Sequence, residues 1–153
     1  MTVREVLVPA EERADAAAML QDYIAEMAQF VPDVRAGQAY PHFELYWSEP
    51  DLRWPFWLKS DDANAGFALV RRDEAAMQVA EFFVARPYRR QGVGLGAARR
   101  LIARFPGPWR ITQRESNQPA IAFWHRVLDG FAVYDEVTTV TDAVRREQRF
   151  TFP

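Results

Sequence analysis

Glu81-Phe-Phe-Val-Ala-Arg-Pro-Tyr-Arg-Arg-Gln-Gly-Val-Gly-Leu-Gly96 joins a strand signal to a helix signal through a run of glycines. With Met77-Gln78-Val79-Ala80 in front, its first half is rich in β-branched and aromatic residues, so it predicts a buried strand over 77–84, ended by Pro87. From Val93 onward, Leu95, Ala98, Leu101, Ile102 and Phe105 recur at helical spacing with Arg99, Arg100 and Arg104 on the other side, which predicts an amphipathic helix. A strand, a glycine turn and a helix start suit phosphate binding. The first-turn N–H groups point the same way, the macrodipole adds partial positive charge, and glycine lets an anion reach the backbone. Arg86, Arg89 and Arg90 add formal charge there.

A P-loop would need a lysine and a hydroxyl after the glycines, and neither is present. A dinucleotide fingerprint needs Gly-x-Gly-x-x-Gly directly after the strand and an acid about 20 residues on. Here the spacing is Gly-x-Gly-x-Gly, a basic segment precedes it, and Arg110 and Arg114 occupy the later region. The pattern Arg/Gln-x-x-Gly-x-Gly/Ala is met at every position by Arg89-Arg90-Gln91-Gly92-Val93-Gly94. On these residues the sequence resembles the GNAT superfamily of acyl-CoA-dependent N-acyltransferases, in which this turn holds the coenzyme A pyrophosphate on backbone amides.

A second stretch carries the same resemblance. Asn117-Gln-Pro-Ala120-Ile-Ala-Phe123-Trp124-His-Arg-Val-Leu-Asp-Gly130-Phe131 predicts a helix capped by Ser116 or Asn117, with Pro119 in its first turn and Gly130 at its end. It is similar to the second GNAT motif, Asn-x-x-Ala-x-x-Leu/Phe-Tyr followed by Gly-Phe. It departs from that motif in two ways: Trp124 stands where the family usually has tyrosine, and the helix runs two residues longer before Gly-Phe.

The remaining elements agree with one small domain, 1–153. At 153 residues, 49% hydrophobic, the chain is large enough for one core. Strands are expected over 2–8, 55–60, 65–72, 77–84, 109–115, 131–140 and 146–152. Helices are expected over 10–30, within 34–55, from Val93, and from Asn117. Short polar connections make the three central strands an antiparallel meander, and the helix after residue 93 makes the strand at 109–115 a parallel neighbour of 77–84. The fold class is therefore α/β (α+β): a mixed, mostly antiparallel sheet of about seven strands flanked by about four helices. The resemblance implies that the parallel pair splays around the CoA site.

Composition excludes several alternatives. With no cysteine and only His42 and His125, a disulfide framework, a thiolate zinc site and a cysteine nucleophile are absent, and no metal is expected. Net charge is −2, so nothing global suggests nucleic acid or an anionic membrane. Eight arginines and no acid between Arg86 and Arg114 nevertheless suit a local polyphosphate patch. No apolar run approaches a membrane span or a signal peptide, so a cytoplasmic monomer or homodimer is expected.

The resemblance implies acetyl transfer from acetyl-CoA to a primary amine of a small molecule or peptide. The alternative is a non-catalytic acyl-CoA-binding or regulatory module on the same fold, which Trp124 favours. CoA would be held by Phe82, Phe83 and Val84 on the strand, by Arg89, Arg90, Gln91, Gly92, Val93, Gly94 and Leu95 at the turn, and by Asn117 and Trp124. By alignment, the Val84 amide faces the thioester oxygen. Glu81 is the first choice as general base, because it is the one acid within an apolar strand, where desolvation raises a carboxylate's pKa. Glu115 is the reserve, and a water chain could replace both. An indole does not give up its proton near neutrality, so either Tyr134 acts as the acid or the thiolate leaves unassisted. The aromatic segment 40–54 either caps the core or lines the acceptor site, where ring faces would attract an ammonium.

Overall fold

A computed structural model describes residues 1–153. Strand β1 (Val3–Leu7) leads through a 3-10 turn at Ala10–Glu12 into α1 (Arg13–Met27), and a long loop carries the short α2 (Leu45–Ser48). Strands β2 (Arg53–Ser60), β3 (Ala63–Arg72) and β4 (Met77–Val84) form the expected meander. After it come α3 (Val93–Arg104), β5 (Gly107–Arg114), α4 (Gln118–Leu128), β6 (Asp135–Val140) and β7 (Val144–Phe152). The seven strands lie in the order β1-β2-β3-β4-β5-β7-β6, and only the β4–β5 pair is parallel. No helix is long and apolar enough to cross a membrane.

Three layers result, with α1 and α2 on one face of the sheet and α3 and α4 on the other. Strand alternation separates the two cores. On β3, Phe67 and Leu69 join Leu20, Ile24 and Tyr46 under α1 and α2, whereas Ala68 and Val70 join Ala98, Leu101, Ile102 and Val127 under α3 and α4. Covered on both faces, β3 is a continuous apolar run from Ala65 to Val70.

The sheet opens at its parallel seam. Strands β4 and β5 are each eight residues long but pair only at Met77↔Trp109 and Gln78↔Arg110. The cause lies in the β3–β4 ladder, where Leu69 pairs with Glu81 but Val70 with Val79, leaving Ala80 as the extra residue of a bulge. A bulge bends its strand and sharpens its twist, and this one lies two residues beyond Gln78, the last residue of β4 that pairs with β5. Beyond Ala80 the two strands diverge.

Several boundaries differ from the expectation for local reasons. The β2–β3 connection is only Asp61-Asp62, because Asp61 takes a left-handed conformation (φ 52°) that closes the hairpin early. Strand β5 starts at Gly107, whose φ of 120° turns the chain out of α3 and into the sheet. The final hairpin begins at Asp135, since the N–H groups of Phe131 and Ala132 both donate to the Leu128 carbonyl and hold this segment in the end of α4. Its second strand, β7, inserts beside β5, and β6 takes the edge.

Candidate active site

Between Val84 and Val93 the chain makes a 3-10 turn at Arg86–Tyr88 and then a tight turn in which Arg90 (φ 61°) and Gly92 (φ 77°) are both left-handed. Glycine accepts this conformation freely, while arginine is strained in it, so the turn is held by its surroundings. Gly92 caps α3, and the first intrahelical bond of this turn runs from the Gly96 N–H to the Gly92 carbonyl at 3.2 Å. The amides of Val93, Gly94 and Leu95 therefore have no partner within the helix. Gly94 brings α3 close to its neighbours: a Cβ there would lie 3.2 Å from Phe123 Cε1 and 3.3 Å from Val84 Cγ2.

These amides open into a cleft of about 600 Å³ in the splay. Phe82, Phe83 and Val84 of β4 form its floor, and Gly92 to Leu95 form one wall. Asn117, Ala120, Phe123 and Trp124 of α4 form the other, with Tyr23, Glu26 and Met27 of α1 at the rim. The Ala85 N–H donates to the Ala65 carbonyl and Phe67 pairs with Phe83, so by antiparallel alternation the backbone groups of Phe82 and Val84 face away from β3, along the unpaired edge. An extended chain laid there would meet strand-like donors and acceptors, and an anionic group at its end would meet the α3 amides.

The arginines divide into two kinds. Arg89 is committed within the protein: its Nε donates to the Val84 carbonyl (2.8 Å), and its two terminal nitrogens grip Glu26 at 2.7 and 2.6 Å. Its guanidinium also lies 5.5 Å from the Phe83 ring centroid. Arg89, expected from sequence at the pyrophosphate, is thus a strut between the turn, β4 and α1. Its charge holds the Glu26 carboxyl below the usual carboxylate range. Arg90 and Arg126 also line the cleft, are exposed, and form no ion pair. Gln91, also expected at CoA, is not part of the lining, and its amide donates to the Pro87 carbonyl.

Glu81 lies on the α1 side of β4 by alternation with Phe82. It is half-buried and outside the cleft lining. Tyr23 donates to its Oε1 at 2.8 Å and Tyr40 to its Oε2 at 2.7 Å. Burial raises its pKa, and the two tyrosine hydrogen bonds and nearby Arg71 only partly oppose that. The same burial, with Glu81 close by, raises Tyr23 and Tyr40 and pushes Tyr46 up to about 12. The reserve candidate Glu115 is tied to Arg146 at 2.6 and 3.0 Å, which lowers its pKa, and it does not line the cleft.

Trp124 is 5% exposed and packs edge-on against Phe82 and Phe123. Asn117 caps α4 by accepting from the Ala120 N–H at 3.3 Å. Tyr134 lies elsewhere. It lines a separate depression with Trp109 and Arg110, stacks on His125, donates to Asp129 at 3.3 Å, and is not among the residues lining the cleft.

The sequence model described as Acetyltransferase (GNAT) family matches residues 17–129, from α1 to the end of α4. The chain belongs to the GNAT acetyltransferase family. Solved GNAT structures share its fold at low identity. An acetyltransferase from Streptococcus agalactiae superposes with a TM-score of 0.76 at 14% identity, covering 99% of this chain and 96% of that one. The ribosomal-protein-S18-alanine N-acetyltransferase from Escherichia coli gives 0.62 at 17%, covering 99% and 94%. An aminoglycoside acetyltransferase in complex with coenzyme A gives 0.70 at 14%, covering 98% and 95%. No curated protein matches the chain by sequence.

Within this GNAT domain, sequence reading missed the α1 contribution. Tyr23, Glu26 and Met27 lie within the helix expected over 10–30, where nothing marked them as cleft residues, and nothing marked Arg126. Their partners lie far along the chain, Tyr23 reaching Glu81 across 58 positions and Glu26 reaching Arg89 across 63.

Proposed function

We propose that the chain transfers an acetyl group from acetyl-CoA to a primary amine of a small molecule or peptide. The observation that carries this reading is the unpaired β4 edge running into the free first-turn amides of α3 within one cleft. Those parts suit a pantetheine arm and a pyrophosphate. Phe82 and Val84 would pair with the arm. Val93, Gly94 and Leu95 would hold the phosphates, with Arg90 and Arg126 supplying the charge that Arg89 gives to Glu26. Bound acetyl-CoA supplies an activated acyl carbonyl and a thiolate leaving group.

The protein's own task is to take a proton from an ammonium whose free pKa is near 10. Glu81 is the base in this reading, because burial moves its pKa toward the range useful near neutrality. Trp124 cannot act as the acid, so the thiolate, with a pKa near a free thiol's ~8.5, departs unassisted. The second reading, an acyl-CoA-binding module without turnover, is favoured by the buried indole at Trp124.

A thiol-release assay with acetyl-CoA separates the two. The panel would contain spermidine, 2-phenylethylamine, kanamycin and an alanyl peptide. Amine-dependent thiol release supports transfer. Tight acetyl-CoA binding without release on any amine supports the module, and neither binding nor release overturns both.

A further inference from the structure

Glu81 is the only acid within β4, yet it does not line the cleft; Tyr23, which donates to it at 2.8 Å, does. Tyr23 is held in place on both sides, edge-on to Phe67 with centroids 5.7 Å apart and tilted against Phe83 at 5.6 Å. Tyr40 makes the matching hydrogen bond to the other carboxylate oxygen from the α1–α2 loop, but it is not part of the cleft lining. The carboxylate thus has two hydroxyl partners of similar length, and only one of them borders the cleft.

We propose that Tyr23 is a catalytic proton relay, its hydroxyl accepting a proton from the attacking amine while passing its own to Glu81. This rests on the acetyl-transfer reading above. The step balances. One ammonium proton moves to Tyr23 Oη while the Tyr23 proton moves to Glu81 Oε1; the freed amine nitrogen then forms its bond to the acyl carbon, the electron pair of the broken carbon–sulfur bond leaves with the thiolate, and the second proton that the nitrogen sheds goes to that thiolate. Tyr23 is neutral before and after, so its raised pKa is no obstacle: no tyrosinate has to form. The relay removes the need for Glu81 to reach the substrate directly, and it keeps the carboxylate out of the charged cleft, away from Arg90 and Arg126.

The groups facing Glu81 are Tyr23 from α1, Tyr40 from the loop, Tyr46 from α2 and Arg71 from β3. Removing either hydrogen-bonding hydroxyl takes away an interaction that lowers the Glu81 pKa, so Tyr23→Phe and Tyr40→Phe should both move the acidic limb of the pH–rate profile upward. An electrostatic role alone would make the two variants alike. The relay predicts a difference in plateau turnover: Tyr23→Phe loses about 10² or more with acetyl-CoA KM little changed, and Tyr40→Phe loses less than tenfold.

The assay uses the full chain, acetyl-CoA and the amine from the panel with the highest turnover, with melting temperature as the check on folding. Equal losses in the two variants overturn the relay and leave Glu81 as a base that acts directly. Loss in Tyr23→Phe with full turnover in Glu81→Gln also overturns it, because Tyr23 would then act without the carboxylate. If the wild-type chain releases no thiol with any amine, the transfer reading itself falls and the relay with it. If Tyr23→Phe fails to fold, Tyr23→Trp carries the same comparison.

Discussion

Replacing Arg89 with alanine separates a strut from a phosphate ligand. In the free protein the substitution removes the bond to the Val84 carbonyl, the bidentate grip on Glu26 and the contact with the Phe83 ring. The side chains of the ion pair are 35% and 29% exposed, so solvent screens them. An exposed pair is worth about 0–1 kcal/mol, a charged hydrogen bond to a carbonyl about 1–2 after partial exposure, and a solvent-facing cation–π contact about 0.5. Because these overlap, the expected loss in urea unfolding is about 1–3 kcal/mol. Arg90→Ala removes no hydrogen bond or ion pair within the protein and should stay within about 0.5 kcal/mol. A cycle of Arg89→Ala with Glu26→Gln should give a coupling of about 0.5–1.5 kcal/mol. The pH dependence has a definite sign. Arg89 depresses the Glu26 pKa, so this stabilisation is present above the unfolded carboxylate range and is lost as pH falls through the lower folded value. The stability gap between the wild type and Arg89→Ala should therefore narrow without closing as pH falls below the unfolded carboxylate range, because the Val84 carbonyl bond and the Phe83 contact do not titrate with Glu26. For acetyl-CoA binding the order reverses in salt dependence: Arg90→Ala should flatten it more than Arg89→Ala does. Unchanged stability in Arg89→Ala together with zero coupling would refute the strut and return Arg89 to the phosphate site.

Glu81→Gln should lower turnover by about 10²–10⁴ while leaving acetyl-CoA affinity nearly unchanged. It should not lower the melting temperature at pH 8: burial raises the Glu81 pKa, so its ionisation costs stability as pH rises through that value, and the amide removes the cost. A clear loss of thermal stability at pH 8 would contradict that environment. Gly66→Ala should destabilise the fold by about 2–4 kcal/mol and weaken acetyl-CoA binding, because its Cβ would sit 2.0 Å from the Phe83 carbonyl oxygen and β4 must shift; a wild-type urea midpoint would contradict it. Gly94→Leu should cost more in acetyl-CoA affinity than Arg99→Ala, whose guanidinium bonds the carbonyls of Val127, Arg126 and Asp129 outside the cleft. A calorimetric titration giving equal losses would make the turn purely structural.

What was legible in the sequence was local chemistry. Strand β4 ends where Pro87 dictates, α3 starts at the left-handed Gly92, and α4 is capped by Asn117 and closed at Gly130, so the walls that Val93–Leu95 and Asn117–Trp124 form could be placed from their own residues. What escaped depends on contacts across the sheet. The bulge at Ala80 that splays β4 from β5 is set by pairing with β3, and no alternation pattern in 77–84 reveals it. Arg89 carries the right charge at the right place, but Glu26, on a helix sixty-three positions earlier, consumes it. Glu81 stood out by its isolation in an apolar strand, whereas nothing in the helix expected over 10–30 marked Tyr23 as its hydrogen-bond partner. The two amide bonds to Leu128 after α4, which set where Tyr134 lies, are likewise invisible in the sequence.

Calorimetric melting with acetyl-CoA and, separately, with NADH tests the cleft most directly. At a hundredfold excess over its dissociation constant, acetyl-CoA should stabilise the native state by about 2.7 kcal/mol, raising the melting temperature of a chain this size by about 5–11 °C, with no shift from NADH. No shift with acetyl-CoA, or an equal shift with NADH, would contradict a coenzyme A site between β4 and the amides of α3.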